Sequence, residues 1–358
     1  MQVTGMQSKP HGFGQPKLFF YFSISLPLKK MKKKIALVTG GFSGEAVISY
    51  RSANTIYNHL DKEKFDVYKI DVNTEGWFYE DATGRKGEVD KNDFTILTNN
   101  EKIGFDAVFI GMHGTPGEDG KLQGYFDVMG LPYTSCNAAT SALTFNKRYT
   151  TAVAAVAGIP VAKSVHLFKH TPYNADEILS SLQLPYFVKP NNGGSSIGMS
   201  KVSEGSQLKE ALEKAFKEDD QVLIEEMIQG REFTVGVFKT KGEIIVLPIT
   251  EVSSHKEFFD FEAKYGGKST ETTPAEITEE WKLKLEESAK KIYAVFNCRG
   301  VVRIDFIYNA EQGRPYMLEI NTIPGQSDAS VIPQQVRAKG WNLQDFYTKL
   351  VEEALENS

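Results

Sequence analysis

Residues 301–308, VVRIDFIY, alternate in character: in an extended chain Val302, Ile304 and Phe306 point one way while Arg303 and Asp305 point the other. In YMLEINT (316–322), Leu318 and Ile320 take one face and Glu319 and Asn321 the opposite one. If these two segments pair, one sheet face offers Asp305, Glu319 and Asn321 beside Arg303. Three oxygen donors without Cys or His suit a hard cation, Mg2+ or Mn2+, of the kind that bridges a nucleotide's phosphates. Two amphipathic strands with solvated charges would alternate in the same way. Against that reading, the neighbouring residues are strongly apolar and EINTIPG is an unusual way to end a strand.

A second cluster is cationic. Lys147 falls on a predicted helix, and Lys189 ends a predicted strand just before the loop NNGGSSIG (191–198). Lysines supply point charges and glycines allow close backbone approach, a combination that suits a polyphosphate. NNGGSSIG is not the GxxxxGK[ST] phosphate loop, and GGFSGE (40–45) is not the dinucleotide GxGxxG, so both of those nucleotide classes lose support. HGTPGEDG (113–120) sets His113 at a strand terminus among glycines and acids, where it serves either packing or catalysis. Glu45 either caps the helix that follows it, as acids do at helix amino ends, or faces a substrate.

These residues need elements to hold them. KIALVTG (34–40) reads as a buried strand ending at glycine, 46–60 as a helix, FDVYKIDV (65–72) as a strand, and FDAVFIGMHG (105–114) as a strand again ending in glycine. That alternation predicts a parallel α/β sheet with its ligand cleft at the carboxyl ends of the strands. A helix is predicted over 138–157, a strand over 184–190, and a helix over 206–217 with Leu208, Leu212 and Phe216 along one stripe. Strands VLIEEMI, EFTVGVF and EIIVLPI follow within 222–250, then an aperiodic polar stretch over 253–275. A helix over 276–297, the two chemistry-bearing strands and a closing helix near 344–356 complete the chain.

At 358 residues the chain exceeds what one hydrophobic core usually holds, which calls for two or three domains with a cleft. Hydrophobic residues make up 41% and charged residues 24%, excluding collagen, coiled coil and bulk disorder. Two cysteines far apart in sequence, Cys136 and Cys298, exclude a disulfide scaffold and fit a reducing cytosol. Removing the seven lysines of residues 1–34 from 41 basic residues leaves 34 against 46 acidic ones, a body too acidic for general nucleic-acid binding. The apolar run 18–28 is too short to span a bilayer and no small-residue cleavage site follows it. Residues 1–30 therefore read as a disordered extension, with Met31 as the biological start and no membrane anchor.

Taken in order, GGFSGE, the HG…GEDG…LQG…MGLPYTS block (113–135), NK (146–147), FVKPNNGGSSIGMSKV, VLIEEMIQGREFTVGV, FFDFEAKY (258–265), RIDF and LEINTIPG resemble the D-alanine–D-alanine ligase family of the ATP-grasp superfamily, from about Lys33 to Glu356. The resemblance implies an α/β (α+β), three-domain ATP-grasp fold with a parallel α/β domain at the amino end. Its expected domains are an N-terminal substrate domain over 31–134, a central ATP-grasp domain over 135–224, and a C-terminal one over 225–358 carrying a lid loop at 253–275. It implies a cytoplasmic, homodimeric enzyme of peptidoglycan synthesis that joins two D-alanines with ATP and two Mg2+ (or Mn2+). The first carboxylate attacks the γ-phosphoryl group and the second amine then attacks the acyl phosphate. Water must be kept from that intermediate, which a lid would do.

Position by position, the resemblance implies that Glu45 holds the first substrate's ammonium and joins Ser195 and Tyr265 in a hydrogen-bonded triad. His113 orients the first substrate, Arg303 and the Gly325 amide stabilise the developing oxyanion, and Ser330 binds the second carboxylate. Lys147 and Lys189 contact the α/β phosphates, Lys264 the γ-phosphate, and Ser196 joins the nucleotide contacts. Glu225 accepts from the adenine amino group, Glu226 and Ile228 use backbone atoms, and Glu232 takes the ribose hydroxyls. Asp305, Glu319 and Asn321 ligate magnesium. Tyr265 in the lid favours an amine over a hydroxyl as the second nucleophile. Three departures stand out: Ala46-Val47 replace a charged pair, Glu226 stands where Lys is frequent, and QSDAS (326–330) differs from common versions. The alternatives are a related ligase with a different second substrate, such as D-serine, and a non-catalytic nucleotide-binding protein.

Overall fold

A computed structural model describes residues 31–80, 86–194, 197–254 and 269–356. The expected extension over 1–30 lies outside them. The amino-terminal sheet is built on β1 (Lys33–Gly40), flanked in parallel by β2 (Phe65–Val72) and β7 (Ala107–Ile110). The apolar run in β1 is explained by burial on both faces: Ile35 and Leu37 enter one core, Ala36 and Val38 another. α1 (Ala46–His59) packs Ala53 and Ile56 into the first of these, and α2 (Lys121–Met129) packs Leu122 and Phe126 into the second.

Only part of this sheet is parallel. Beyond β2 run β3 (Trp77–Glu80), β4 (Lys86–Asp90), β5 (Thr95–Thr98) and β6 (Glu101–Ile103), each antiparallel to its neighbour. The all-parallel expectation is corrected there, because short hairpin connections leave no room for crossover helices. The strand expected over 105–114 is also shorter. Its ladder with β1 stops at the Val38–Ile110 pair, and residues 111–114 turn across the carboxyl ends of the strands.

The helix expected over 138–157 is two helices, α3 (Ala138–Phe145) and α4 (Lys147–Val156). Asn146 breaks them by taking an extended conformation and accepting the Tyr149 N–H, so Lys147 becomes the first residue of a new helix. A four-stranded antiparallel sheet follows in the order β10-β9-β11-β8, from β8 (Ser164–Phe168), β9 (Tyr186–Pro190), β10 (Ser200–Val202) and β11 (Gln221–Glu226). α5 (Ala175–Ser181) and α6 (Leu208–Glu218) cover it; Leu208 and Leu212 of the predicted stripe are buried and Phe216 packs beside them.

The third sheet runs β15-β14-β12-β16-β17, with β13 (Glu243–Val246) pairing further along β12. Its strands are β12 (Arg231–Thr240), β14 (Thr250–Ser254), β15 (Ser269–Thr272), β16 (Val301–Asn309) and β17 (Arg314–Asn321). The aperiodic stretch expected over 253–275 thus begins and ends inside β14 and β15; residues 255–268 lie outside the described ones. α7 (Glu279–Val295) buries Leu285, Ala289 and Ile292 against Phe233, Val235, Ile304 and Phe306 on the back of the sheet. α8 (Val331–Ala338) and α9 (Leu343–Glu356) pack Ile332, Val336, Phe346 and Leu350 against Ile35, Leu37 and Phe109 of the first sheet. Among the described residues no helix is long and apolar enough to cross a membrane.

Candidate active site

The back of the third sheet is apolar, so its alternation puts polar side chains on the front. β16 pairs antiparallel with β17, matching Arg303 with Asn321 and Asp305 with Glu319, and the register shifts between Asp305 and Phe306. On its other side β16 matches Asp305 with Thr234 of β12. The expected pairing is therefore present, and all four charged or amide residues line one cavity of about 480 Å3.

Within it Asp305 is the hub. It accepts from Arg303 Nε at 2.9 Å and Nη2 at 2.8 Å, from Thr234 Oγ1 at 2.6 Å and from Asn321 Nδ2 at 3.2 Å. Arg303 also lies 4.0 Å from Glu319. Burial works against the guanidinium's charge, but Asp305, Glu319 and Glu118 outweigh it and raise the pKa further. Nη1 of Arg303 has no hydrogen bond among the described residues and is left to donate elsewhere.

The same cavity is lined by Glu45, His113, Lys147, Glu232, Gly325 and Ser330. Glu45 occupies the N-cap position of α1 yet makes no cap bond with its side chain, so capping does not account for it. Gly194 approaches it: a Cβ there would stand 3.1 Å from Glu45 Oε1. His113 is buried. Its Nδ1 lies 2.8 Å from the Ile323 carbonyl, which can only accept, so Nδ1 carries the proton and Nε2 accepts from Ser52 Oγ at 2.9 Å. Burial, reinforced by Arg303, pushes this imidazole down to about 4. Ser52 also takes the Gln326 N–H at 3.0 Å, so one hydroxyl ties α1, His113 and the loop after β17 together.

Lys147 reaches the Gly193 carbonyl at 2.6 Å, which places it beside the Gly/Ser loop. Lys189 and Glu225 pair at 2.5 Å on adjacent strands β9 and β11. The Glu226 backbone N–H is already given to the Lys163 carbonyl and its side chain accepts from Gln183, leaving only its carbonyl for a ligand. Ile228 N–H has no partner among the described residues. Ser330 is the N-cap of α8; its hydroxyl pairs with Ser327 Oγ at 2.7 Å, and its Oγ would lie 2.8 Å from a Cβ on Gly325, so the two positions face each other closely. Ser195, Ser196, Lys264 and Tyr265 lie outside the described residues.

Several residues escaped the motifs. Glu118, within HGTPGEDG, accepts the Gly114 N–H at 2.9 Å, and burial, then the Glu45 charge, pushes it up to about 8. Thr234 and Ser52 are small polar residues that only the three-dimensional pairing singles out, although two buried serines on α1, Ser49 and Ser52, stand out against its apolar Ala53 and Ile56. Gln335 is fully buried and satisfied by Gly236 N–H, the Thr234 carbonyl and Thr250 Oγ1, which fixes α8 on the front of the sheet. Among the described residues no group of three His, Cys, Asp or Glu forms a metal cage, so protein ligands here amount to two carboxylates and an amide.

Residues 34–136 match the family model described as D-ala D-ala ligase N-terminus, and residues 153–352 the one described as D-ala D-ala ligase C-terminus. A D-alanine--D-alanine ligase from Flavobacterium johnsoniae is 48% identical over 323 residues, covering 90% of this chain and 99% of that relative. Two solved structures share the fold. The VanG D-Ala:D-Ser ligase from Enterococcus faecalis matches with a TM-score of 0.80 at 32% identity, covering 90% of this chain and 100% of that one. The D-alanine--D-alanine ligase from Bacillus anthracis complexed with ATP gives 0.74 at 28% identity, over 91% and 98% of the two chains. With both halves matched and nearly the whole length aligned, the chain belongs to the D-alanine–D-alanine ligase family, and its fold is ATP-grasp.

Proposed function

We propose that this protein joins two D-alanines at the expense of ATP, through an acyl phosphate, to supply a dipeptide for peptidoglycan. The observation that carries the reading is the single cavity in which the Arg303–Asp305–Glu319–Asn321 face meets Glu45 and His113. An alpha-carboxylate is a poor electrophile, and phosphorylation provides the leaving group that lets an amine attack. Glu45 holds the first substrate's ammonium. Arg303 Nη1 and the Gly325 N–H, neither with a partner among the described residues, meet the negative charge that develops on the carbonyl oxygen. His113 orients the first substrate as a neutral ring; with both nitrogens engaged it is a fixed wall rather than a carrier of protons. Ser330 at the start of α8 faces the second carboxylate.

Lys147 and Lys189 serve the α/β phosphates, and Lys189 must loosen its hold on Glu225 as the nucleotide enters. Glu225, the Glu226 carbonyl and the Ile228 N–H receive adenine, and Glu232 the ribose. The donor set Asp305, Glu319 and Asn321 is all oxygen, partly exposed to the cavity and free of Cys and His, which fits Mg2+ or Mn2+. Bound there, two such ions would neutralise charge on the triphosphate. A cytoplasmic homodimer with domains 31–134, 135–224 and 225–358 completes the proposal; because β11 runs from Gln221 to Glu226, the last boundary is better drawn after that strand.

Purified protein with ATP, Mg2+ and D-alanine releases phosphate and forms D-alanyl-D-alanine by mass spectrometry. No release above a control without D-alanine would overturn the reading. Ligation to D-serine is not favoured, since the Flavobacterium johnsoniae D-alanine--D-alanine ligase is 48% identical against 32% for the D-Ala:D-Ser ligase; D-serine outcompeting D-alanine would reverse that order.

A further inference from the structure

Among the described residues the cavity has a third cation on its lining besides Lys147 and Arg303. Arg51 lies on α1, one turn beyond Ile48, and both line the cavity. Its neighbour Ser52 accepts the Gln326 N–H, which sets this part of the helix against the loop carrying Ser327, Ala329 and Ser330. Lys147 is hydrogen-bonded to the Gly193 carbonyl and Arg303 is doubly bonded to Asp305. Arg51 forms no ion pair or hydrogen bond among the described residues.

Resting on the ligase reading above, we propose that Arg51 is the cationic ligand for the carboxylate of the second amino acid. That carboxylate is not consumed by the reaction, and it stays charged while its own ammonium loses a proton and attacks. Holding it needs several donors and a compensating charge. Ser330 gives one hydroxyl, already shared with Ser327. Arg303 is committed to Asp305 and to the reacting carbonyl. A guanidinium offers two parallel N–H groups matched to a carboxylate, which a lysine does not. Arg51 lines the cavity yet is exposed, so before substrate binds no buried charge waits unpaired.

The test uses the full chain with ATP and Mg2+, and equal concentrations of D-alanine and D-alaninamide as competing acceptors. D-Alaninamide keeps the amine and the methyl but lacks the carboxylate. The wild-type protein favours D-alanyl-D-alanine, and Arg51→Gln shifts the product ratio toward D-alanyl-D-alaninamide by about tenfold or more, the scale of a lost charge-assisted hydrogen bond. Arg51→Lys restores part of the preference, and the KM for ATP stays put in both variants. A ratio in Arg51→Gln equal to wild type, or an equal loss with both acceptors, would overturn this inference alone. Absence of any ligation by the wild-type protein would overturn the ligase reading and this inference with it.

Discussion

At His113 and Glu118, one turn of chain holds two groups that titrate in opposite senses. Burial keeps His113 neutral down to about 4, whereas in the unfolded chain it takes a proton below its ordinary 6.5. Its contribution to stability is thus present above 6.5 and lost as pH falls from 6.5 toward 4. Glu118 does the reverse: burial and the facing Glu45 keep it protonated up to about 8, while the unfolded chain ionises above 4.5, so stability drains away as pH rises from 4.5 to 8. Gly114 N–H and Arg303 pull it the other way without prevailing, and Glu319 adds to the raise. Glu118→Gln keeps the acceptor for Gly114 N–H and removes the ionisation. It is expected to raise the melting temperature at pH 8 by about a few degrees and leave it unchanged at pH 4.5, read by thermal denaturation across that range. Equal shifts at both pH values would refute the assignment. HGTPGEDG drew attention to His113 from sequence because histidine beside glycine at a strand end is conspicuous. Glu118 was not legible, since its carboxyl pKa is set by burial and by Glu45, which is 73 positions away in the chain.

At the scale of elements, the third sheet divides its labour by alternation: even positions 302, 304 and 306 hold α7, and Arg303 and Asp305 hold the site. That division is readable from VVRIDFIY, since period-two patterning needs no knowledge of the partner strand; in YMLEINT it holds for Ile320, Glu319 and Asn321, but the register shift puts Met317 rather than the expected Leu318 in the core. The register is not readable, nor is the shift after Asp305, because both depend on how β12, β16 and β17 meet. Asp305→Ala is expected to abolish phosphate release and also to destabilise the fold by about 3 kcal/mol, since it leaves the Arg303 guanidinium without its bidentate partner. Calorimetry separates the two effects, and Glu319→Ala, whose carboxylate is more open, should lose turnover with a smaller loss of stability. Gln335 shows how an element's position depends on one residue that no motif contains. Gln335→Leu orphans the Gly236 N–H, at about 1–3 kcal/mol for such a buried group, and takes one donor from the Thr234 carbonyl. Denaturant unfolding should show that loss, and α8 should shift enough to raise the KM for the second D-alanine more than that for ATP. The strands β3 to β6 carry little periodic signal, because each is only three to five residues long.

At the scale of the whole molecule, charge is the organising fact. The acidic balance of the chain continues into the cavity, where Glu45, Glu118, Glu232, Glu271, Asp305 and Glu319 line the wall against Arg51, Lys147 and Arg303. Even with Glu118 protonated at neutral pH, five carboxylates face three cations among the described residues of the lining, and Arg303 is already neutralised by Asp305. A triphosphate entering such a wall alone meets repulsion at short range, where the low dielectric of a partly enclosed site magnifies each charge. Divalent ions held as proposed would reverse the balance, because the carboxylates that repel phosphate are the ones that would attract the metal. ATP titrated calorimetrically into the protein with a chelator present is therefore expected to bind about 100-fold or more weakly than with millimolar Mg2+, a coupling of roughly 3 kcal/mol. By linkage, ATP should tighten Mg2+ binding by the same factor. Asp305→Asn, which lowers the negative charge yet keeps an oxygen donor, should narrow the gap by improving binding in chelator while weakening it in Mg2+. ATP affinity indifferent to Mg2+ in the wild-type protein would mean that the nucleotide avoids the carboxylate face, and the assignment of Asp305, Glu319 and Asn321 to metal would fall with it.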